Sequence, residues 1–314
     1  MPFVFLGKEM TLDILIPARS EMFLARTIED ILKNKRGDTK IIVGLDGAWA
    51  DPVINDHPDV TILHVSEPLG QRAMTNQLCR LSKAKYIMKC DAHCAFDEGF
   101  DVKMMNRMED NYTMVPVMRN LWAFDWKCYD CGIRTYQGPT PEKCKCGSTN
   151  IKRKMVWKGK DNPQSTSYCF DSTPHFQYFK DWTHRPEYQE QLKTGLTETM
   201  SLQGSCFMLT RDKYWELDIC SEEFGSWGSQ GIEVAMKTWL SGGKVLVNHD
   251  TWYAHMFRTQ GGDFSFPYKN PESKVQEAKK IAKEKFLNKD LIPILEKFWP
   301  VSGWTQEDLD NLRK

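Results

Sequence analysis

Residues 60–93, VTILHVSEPLGQRAMTNQLCRLSKAKYIMKCDAH, decide how this chain is read. VTILHV is an apolar run of strand length, Met74, Leu78 and Leu81 then repeat at helical spacing, and KYIMKCDAH (85–93) returns to an extended apolar run. Strand, helix and strand in succession describe a crossover unit of a parallel sheet. The same alternation holds upstream. LDILIPA (12–18) reads as a buried strand, Leu24, Ile28, Ile31 and Leu32 mark one face of a helix ending near Gly37, and KIIVGLD (40–46) is the next strand. The expected fold class is α/β with a largely parallel, doubly wound sheet, in which ligands gather at the carboxyl ends of the strands. Asp46 and Asp91 both lie at such ends.

Downstream, GSCFMLT (204–210) and KVLVNHD (244–250) resume as strands around the helix IEVAMKTWLSGG, stopped by Gly242 and Gly243. Residues 119–161 between the two halves contain few aliphatics, several Gly and Pro, and four clustered cysteines, which marks an insertion. RTQGGDFSFPYKNP (258–271) has no periodicity and suits a loop that orders over a ligand. Helices then run to the C-terminus, one opened by a Thr305–Asp308 capping box. The expected division is a catalytic α/β domain over 1–118 and 162–270, an inserted ribbon over 119–161, and a helical segment over 271–314.

The 314 residues carry 42 Lys and Arg against 42 Asp and Glu, so global charge selects no partner. With 41% hydrophobic and 12% aromatic residues the chain can bury a sizeable core and is not disordered. MPFVFLG is too short an apolar run for a secretory signal, and no stretch reaches the roughly 18–20 uncharged apolar residues of a membrane span. The expected location is the cytoplasm, with no membrane partner. There Cys79, Cys90, Cys94, Cys169, Cys206 and Cys220 read as buried free thiols.

Neither GxGxxG nor GxxxxGK[ST] occurs, so a phosphate ligand has no glycine cradle and calls for a divalent cation. Asp91-Ala92-His93 supplies a carboxylate and an imidazole that converge if the chain stays extended, because alternate residues then face the same way. His255, in WYAHMFR, offers a third ligand just after a strand. Asp, His and His with open positions suit Mn²⁺, or Mg²⁺ in its place, and the cation would neutralise a diphosphate leaving group. Arg258, three residues on, can add a bidentate phosphate contact.

Four stretches resemble GT-A-fold nucleotide-sugar glycosyltransferases of family 2 type, and among them the polypeptide N-acetylgalactosaminyltransferases: LDILIPARSE, LGQRAMTNQLCRLSKAKYIMKCDAHC, TMSLQGSCFMLTRDKYWEL and FGSWGSQGIEVAMKTWLSGGKVLVNHDTWYAHMFR. D-x-H, W-G-x-x-x-x-E and H-x-F-R follow in the family's order. The resemblance implies a GT-A (Rossmann-like) mixed sheet, a UDP-sugar donor, Asp91, His93 and His255 as Mn²⁺ ligands, and Arg258 on the diphosphate. It further implies Asp46 on the uridine part, Arg72 near the donor and Trp227 lining its pocket. Two positions depart from the family. Gln230 replaces the acid that touches the donor sugar, and Gly231 replaces the Asn after it. Gln can hydrogen-bond a sugar but cannot act as a general base. Glu233 keeps the family's second acid.

The insertion carries its own motif, Cys128-x2-Cys131 and Cys144-x-Cys146, with Gly132 and Gly147 behind the pairs. Four thiolates in two close pairs suit a closed tetrahedral structural Zn²⁺, with reduced free thiols as the alternative. Residues 119–161 hold ten Lys and Arg against four acids, a net +6. Trp122, Trp126, Tyr129, Tyr136 and Trp157 are interleaved with that charge. Basic residues between stacking platforms suit nucleic acid, against the alternative of a solvated basic surface. The favoured acceptor on this reading is a hydroxymethylated pyrimidine base in DNA. Protein Ser/Thr is the second reading, and an inactive GT-A scaffold acting as a zinc-ribbon nucleic-acid-binding protein the third.

Overall fold

The computed structural model describes residues 10–258, 264–269 and 272–314. The N-terminal half runs β1 (Thr11–Ala18), α1 (Leu24–Asn34), β2 (Asp38–Asp46), β3 (Val60–Val65), α2 (Gln71–Leu81), β4 (Tyr86–Cys90), β5 (Cys94–Phe96), α3 (Phe100–Met105) and β6 (Tyr112–Cys128). The middle adds β7 (Arg134–Tyr136), β8 (Ile151–Ser165), β9 (Tyr168–Phe170), β10 (Phe176–Tyr178), α4 (Lys180–Thr183), α5 (Pro186–Leu192) and β11 (Leu196–Glu198). Then come β12 (Cys206–Thr210), α6 (Arg211–Glu216), α7 (Gln230–Leu240), β13 (Lys244–His255), α8 (Glu272–Phe286), α9 (Ile292–Phe298) and α10 (Gln306–Leu312).

The main sheet has the order β11-β13-β6-β12-β4-β1-β2-β3. β1 pairs in parallel with β2 and β4, and β2 with β3, as the expected crossover units require. ILIPA and YIMKC are buried along their length, so they read as continuous apolar runs. Leu81, placed by its spacing on the core face of α2, is instead exposed at the helix end. The sheet is mixed rather than largely parallel, because β12 enters antiparallel between β4 and β6. The capping box of α10 is present in full, Thr305 Oγ1 and the Asp308 side chain each bonding the other residue's backbone N–H. Among the described residues no helix is long and apolar enough to cross a membrane.

The 119–161 segment is not a separate body. β6 stays paired with β13 as far as Asn120 and runs on as one strand to Cys128, and β8 returns antiparallel beside it from Cys128↔Ile151 to Met118↔Ser165. With the short β7 paired to β6 on its other side, the result is a three-stranded arm with the four cysteines at its tip. Its base has a core of its own, in which Phe124, Trp126 and Trp157 pack with Phe23, Met256 and Phe264. Two of the five aromatics expected to serve as stacking platforms, Trp126 and Trp157, are therefore spent on packing. Tyr129 and Tyr136 do stand exposed, with Lys127, Lys152 and Lys160 over their rings. Phe124→Ala empties the centre of the arm's base and should lower stability by about 3–5 kcal/mol, measured by urea unfolding.

Candidate active site

The site forms where β4 ends. The chain turns at residues 91–93 and re-enters the sheet as β5, so the D-x-H segment is a turn and not the extended run its spacing suggested. β5 pairs antiparallel with the end of β13, with Cys94 opposite His255, and Met256 N–H donates to the His93 carbonyl at 3.1 Å. That pairing sets His255 Nε2 3.2 Å and His93 Nε2 3.9 Å from Asp91 Oδ2. One ligand atom from each residue lies within 4.8 Å of the other two. Nδ1 of both imidazoles is buried without a hydrogen-bond partner. A carboxylate and two imidazoles converging at this range fit a divalent cation with open coordination positions.

Electrostatics keep the donors in ligand form. Burial pushes the His255 imidazole down to about 4, so it is neutral at pH 7. Burial alone would raise the Asp91 carboxyl, but the Lys89 ammonium and the His255 hydrogen bond outweigh it and hold the group well below the usual carboxylate range. Lys89 is fully buried, ion-paired with Asp91, and donates to the Gly204 carbonyl at 2.8 Å. Glu21 ion-pairs with Arg258 and stands 3.4 Å from His93 Nδ1. Glu21 thus stands behind the His93 imidazole at ion-pair range without a hydrogen bond. Lys89 and Glu21 lie in the stretches quoted above but are assigned no role there, although a lone lysine in an otherwise apolar strand is a visible signal.

These residues line a cleft of about 650 Å³ at the carboxyl ends of β1, β2 and β4, a size in the range of small-molecule sites. Asp46, Trp227, Gln230 and Arg258 also line it. Asp46 accepts from Leu69 N–H at 2.6 Å and Gly70 N–H at 3.0 Å, so it clasps the loop bordering the cleft as well as facing it. Trp227 meets Phe266 edge to face at 5.5 Å between centroids. Gln230 donates from Nε2 to Cys220 Sγ at 3.1 Å. Arg258 donates to the Ser265 carbonyl at 2.8 Å and lies over the rings of Phe264 and Phe266. Of the 258–271 loop, residues 259–263 and 270–271 lie outside the described residues.

Arg72 and Glu233 are corrections. Both are buried behind the cleft wall, paired with each other, and neither lines the cleft. Arg72 also donates to the Gly228 carbonyl, while Glu233 accepts from Ser221 N–H at 2.8 Å and Lys237 Nζ at 2.9 Å. The pair supports the Trp227–Gly228 turn from behind the cleft wall, with Arg72 Nε left buried without a hydrogen-bond partner. Gly231 has a steric reason: a Cβ there would fall 1.9 Å from the Leu202 carbonyl oxygen.

At the arm tip, Cys128 and Cys146 Sγ are 3.7 Å apart and Cys131 and Cys144 Sγ 3.5 Å apart. All four sulfurs lie within 4.8 Å of one another. Gly132 and Gly147 adopt φ +78° and +84°, the left-handed turns that let each knuckle close. The Cys128 thiol is held down to about 6, chiefly by the Cys131 N–H. The donor set and its spacing fit a structural Zn²⁺.

Two predictions follow from these buried groups. Glu233→Ala leaves the Arg72 guanidinium buried without its partner and should cost about 3–5 kcal/mol in a denaturant melt. His249, like His255, is pushed by burial from 6.5 to about 4. Between those pH values the unfolded chain binds more protons than the native one, so stability falls as pH drops from 6.5 to 4. With both histidines contributing, the steepest slope is about 2.7 kcal/mol per pH unit, and His249→Gln should roughly halve it.

Residues 13–126 match the family model "Glycosyl transferase family 2". Human polypeptide N-acetylgalactosaminyltransferase 3 is 22% identical over 256 residues, covering 78% of this chain and 36% of the relative. A putative polypeptide N-acetylgalactosaminyltransferase 13 of Drosophila melanogaster is 24% identical over 208 residues, covering 66% and 31%. The chain thus spans about a third of the length of these curated relatives. Among solved structures, GalNAc-T7 with UDP, GalNAc and Mn²⁺ superposes with a TM-score of 0.62 at 14% identity, covering 96% of this chain and 53% of that one. The chain has the GT-A glycosyltransferase fold, with a glycosyl transferase family 2 region at 13–126.

Proposed function

We propose that this chain is a metal-dependent glycosyltransferase that moves a sugar from a UDP-sugar to a hydroxyl acceptor. The observation that carries the reading is the meeting of Asp91, His93, His255 and Arg258 at one wall of the cleft. GalNAc-T7, which shares the fold, is described with UDP and Mn²⁺. In this chain Asp91, His93 and His255 would hold Mn²⁺ or Mg²⁺, which supplies positive charge beside the departing diphosphate. Breaking the bond between the anomeric carbon and the diphosphate leaves its electron pair on the phosphate oxygen. The acceptor oxygen forms the new bond to that carbon and loses its proton, giving the glycoside and UDP.

The residues have separable tasks. Arg258 contributes two donors to the developing phosphate charge, the kind of fixed electrostatic term that usually dominates such reactions. Glu21 and the aromatic rings of Phe264 and Phe266 hold its guanidinium in place. Trp227 and Gln230 border the donor-sugar side of the cleft. The four-cysteine tip takes a structural Zn²⁺ and keeps the end of the arm folded.

For the acceptor, a protein hydroxyl now takes precedence over a hydroxylated DNA base. The two relatives above are named as polypeptide N-acetylgalactosaminyltransferases, and burial of Trp126 and Trp157 removes part of the aromatic surface that favoured nucleic acid. Asp91→Ala and His255→Ala should each abolish Mn²⁺-dependent release of UDP from UDP-sugars, and Arg258→Ala should lower kcat/KM by about a hundredfold. The assay screens a panel of UDP-sugars with and without EDTA. Wild-type rates in the first two variants would overturn the assignment, and no turnover by the wild-type protein would favour an inactive scaffold.

A further inference from the structure

We infer that the α8 side of the cleft binds an acceptor peptide carrying acidic residues next to its hydroxyl; the inference rests on the glycosyltransferase reading. The acids that line the cleft, Glu21, Asp46 and Asp91, each already have a partner: Arg258, the N–H groups of Leu69 and Gly70, and Lys89. Lys269, Lys274 and Lys279 also line it, and none of these pairs with a carboxylate among the described residues. Lys274 donates to Ser226 Oγ at 3.3 Å and Lys279 to His175 Nδ1 at 3.0 Å. Neither a hydroxyl nor an imidazole carries negative charge, so neither contact compensates an ammonium.

The adjoining wall also lacks a free carboxylate. His175 and Phe176 stand at the turn between β9 and β10. Asp171 turns inward there and accepts from Thr173 N–H at 2.9 Å, His175 N–H at 3.0 Å and Gln177 Nε2 at 3.0 Å. Ser172 N–H ties the same turn to the Gly303 carbonyl at 3.2 Å. The Lys279–His175 contact joins this turn to α8, so an extended chain laid along their shared rim would meet Phe176 and, beside it, the ammonium row. Lysine acts as a mobile point charge, which suits carboxylates at more than one register. A cleft of about 650 Å³ that must also seat a nucleotide-sugar has room for a single extended strand and none for a duplex.

The test compares two fluorescein-labelled Thr peptides, one flanked by Glu and one by Gln, by anisotropy against the full chain with UDP and Mn²⁺ present. The Glu peptide should bind about tenfold more tightly, as two exposed ion pairs allow, and 0.5 M NaCl should erase most of that advantage. The double variant Lys274→Gln, Lys279→Gln should bind both peptides alike, with the Gln peptide bound as by the wild type. Equal binding of the two peptides by the wild-type protein, or an acidic preference that survives in the variant, overturns the inference. So does an unlabelled single-stranded oligonucleotide that displaces the Glu peptide at lower concentration than free Glu peptide does. Release of UDP from UDP-sugar without peptide is measured in parallel. Failure there removes the donor reading, whereas failure of the peptide preference alone leaves it standing.

Discussion

The pairing of β5 with the end of β13 is the constraint on which the site depends. It joins residues more than 160 positions apart, setting Cys94 opposite His255 and so bringing His255 Nε2 to 3.2 Å from Asp91 Oδ2. Neither strand would hold that register alone. β5 is three residues long, and it is fixed because the turn at 91–93 hands it directly to the sheet edge that β13 presents. Lys89 completes the arrangement by placing a buried ammonium against Asp91, which compensates a carboxylate that burial would otherwise protonate.

A second buried charge pair carries the opposite wall. Arg72 on α2 and Glu233 on α7 hold two helices from distant parts of the chain, and the Gly228 carbonyl on the same guanidinium fixes the turn that presents Trp227. Breaking such a pair costs more than the pair itself contributes, because the remaining charge stays desolvated. Family resemblance attracts a functional reading to both residues. Their burial places them behind the cleft wall, whereas Arg258, Trp227 and Gln230 line it.

The arm shows why local composition was a poor guide to a partner. Its +6 charge is real, yet its aromatics divide between two roles that their spacing does not distinguish. Trp126 and Trp157 close a core against Phe23 and Phe264, whereas Tyr129 and Tyr136 remain outside under lysine cations. Phe264 belongs to that core and also lies edge-on to His93 at 5.0 Å and beneath Arg258. The arm therefore braces the segment that carries Arg258.

The amino-acid sequence by itself determined the alternating strands and helices of the first hundred residues, the D-x-H, H-x-F-R and four-cysteine motifs, and the capping box at Thr305. Each of these is a local pattern, set by periodicity, side-chain chemistry or a spacing of a few residues. Only the tertiary structure decided that β12 enters antiparallel, that β6 runs unbroken from body to arm, and that Arg72 and Glu233 turn inward to each other. It alone disclosed Lys89 and Glu21 beside the D-x-H turn and the cleft lysines that have no carboxylate partner among the described residues. Those outcomes depend on which faces meet across long separations, and a residue's charge or apolarity is the same whether its neighbour is solvent, a ligand or a buried partner.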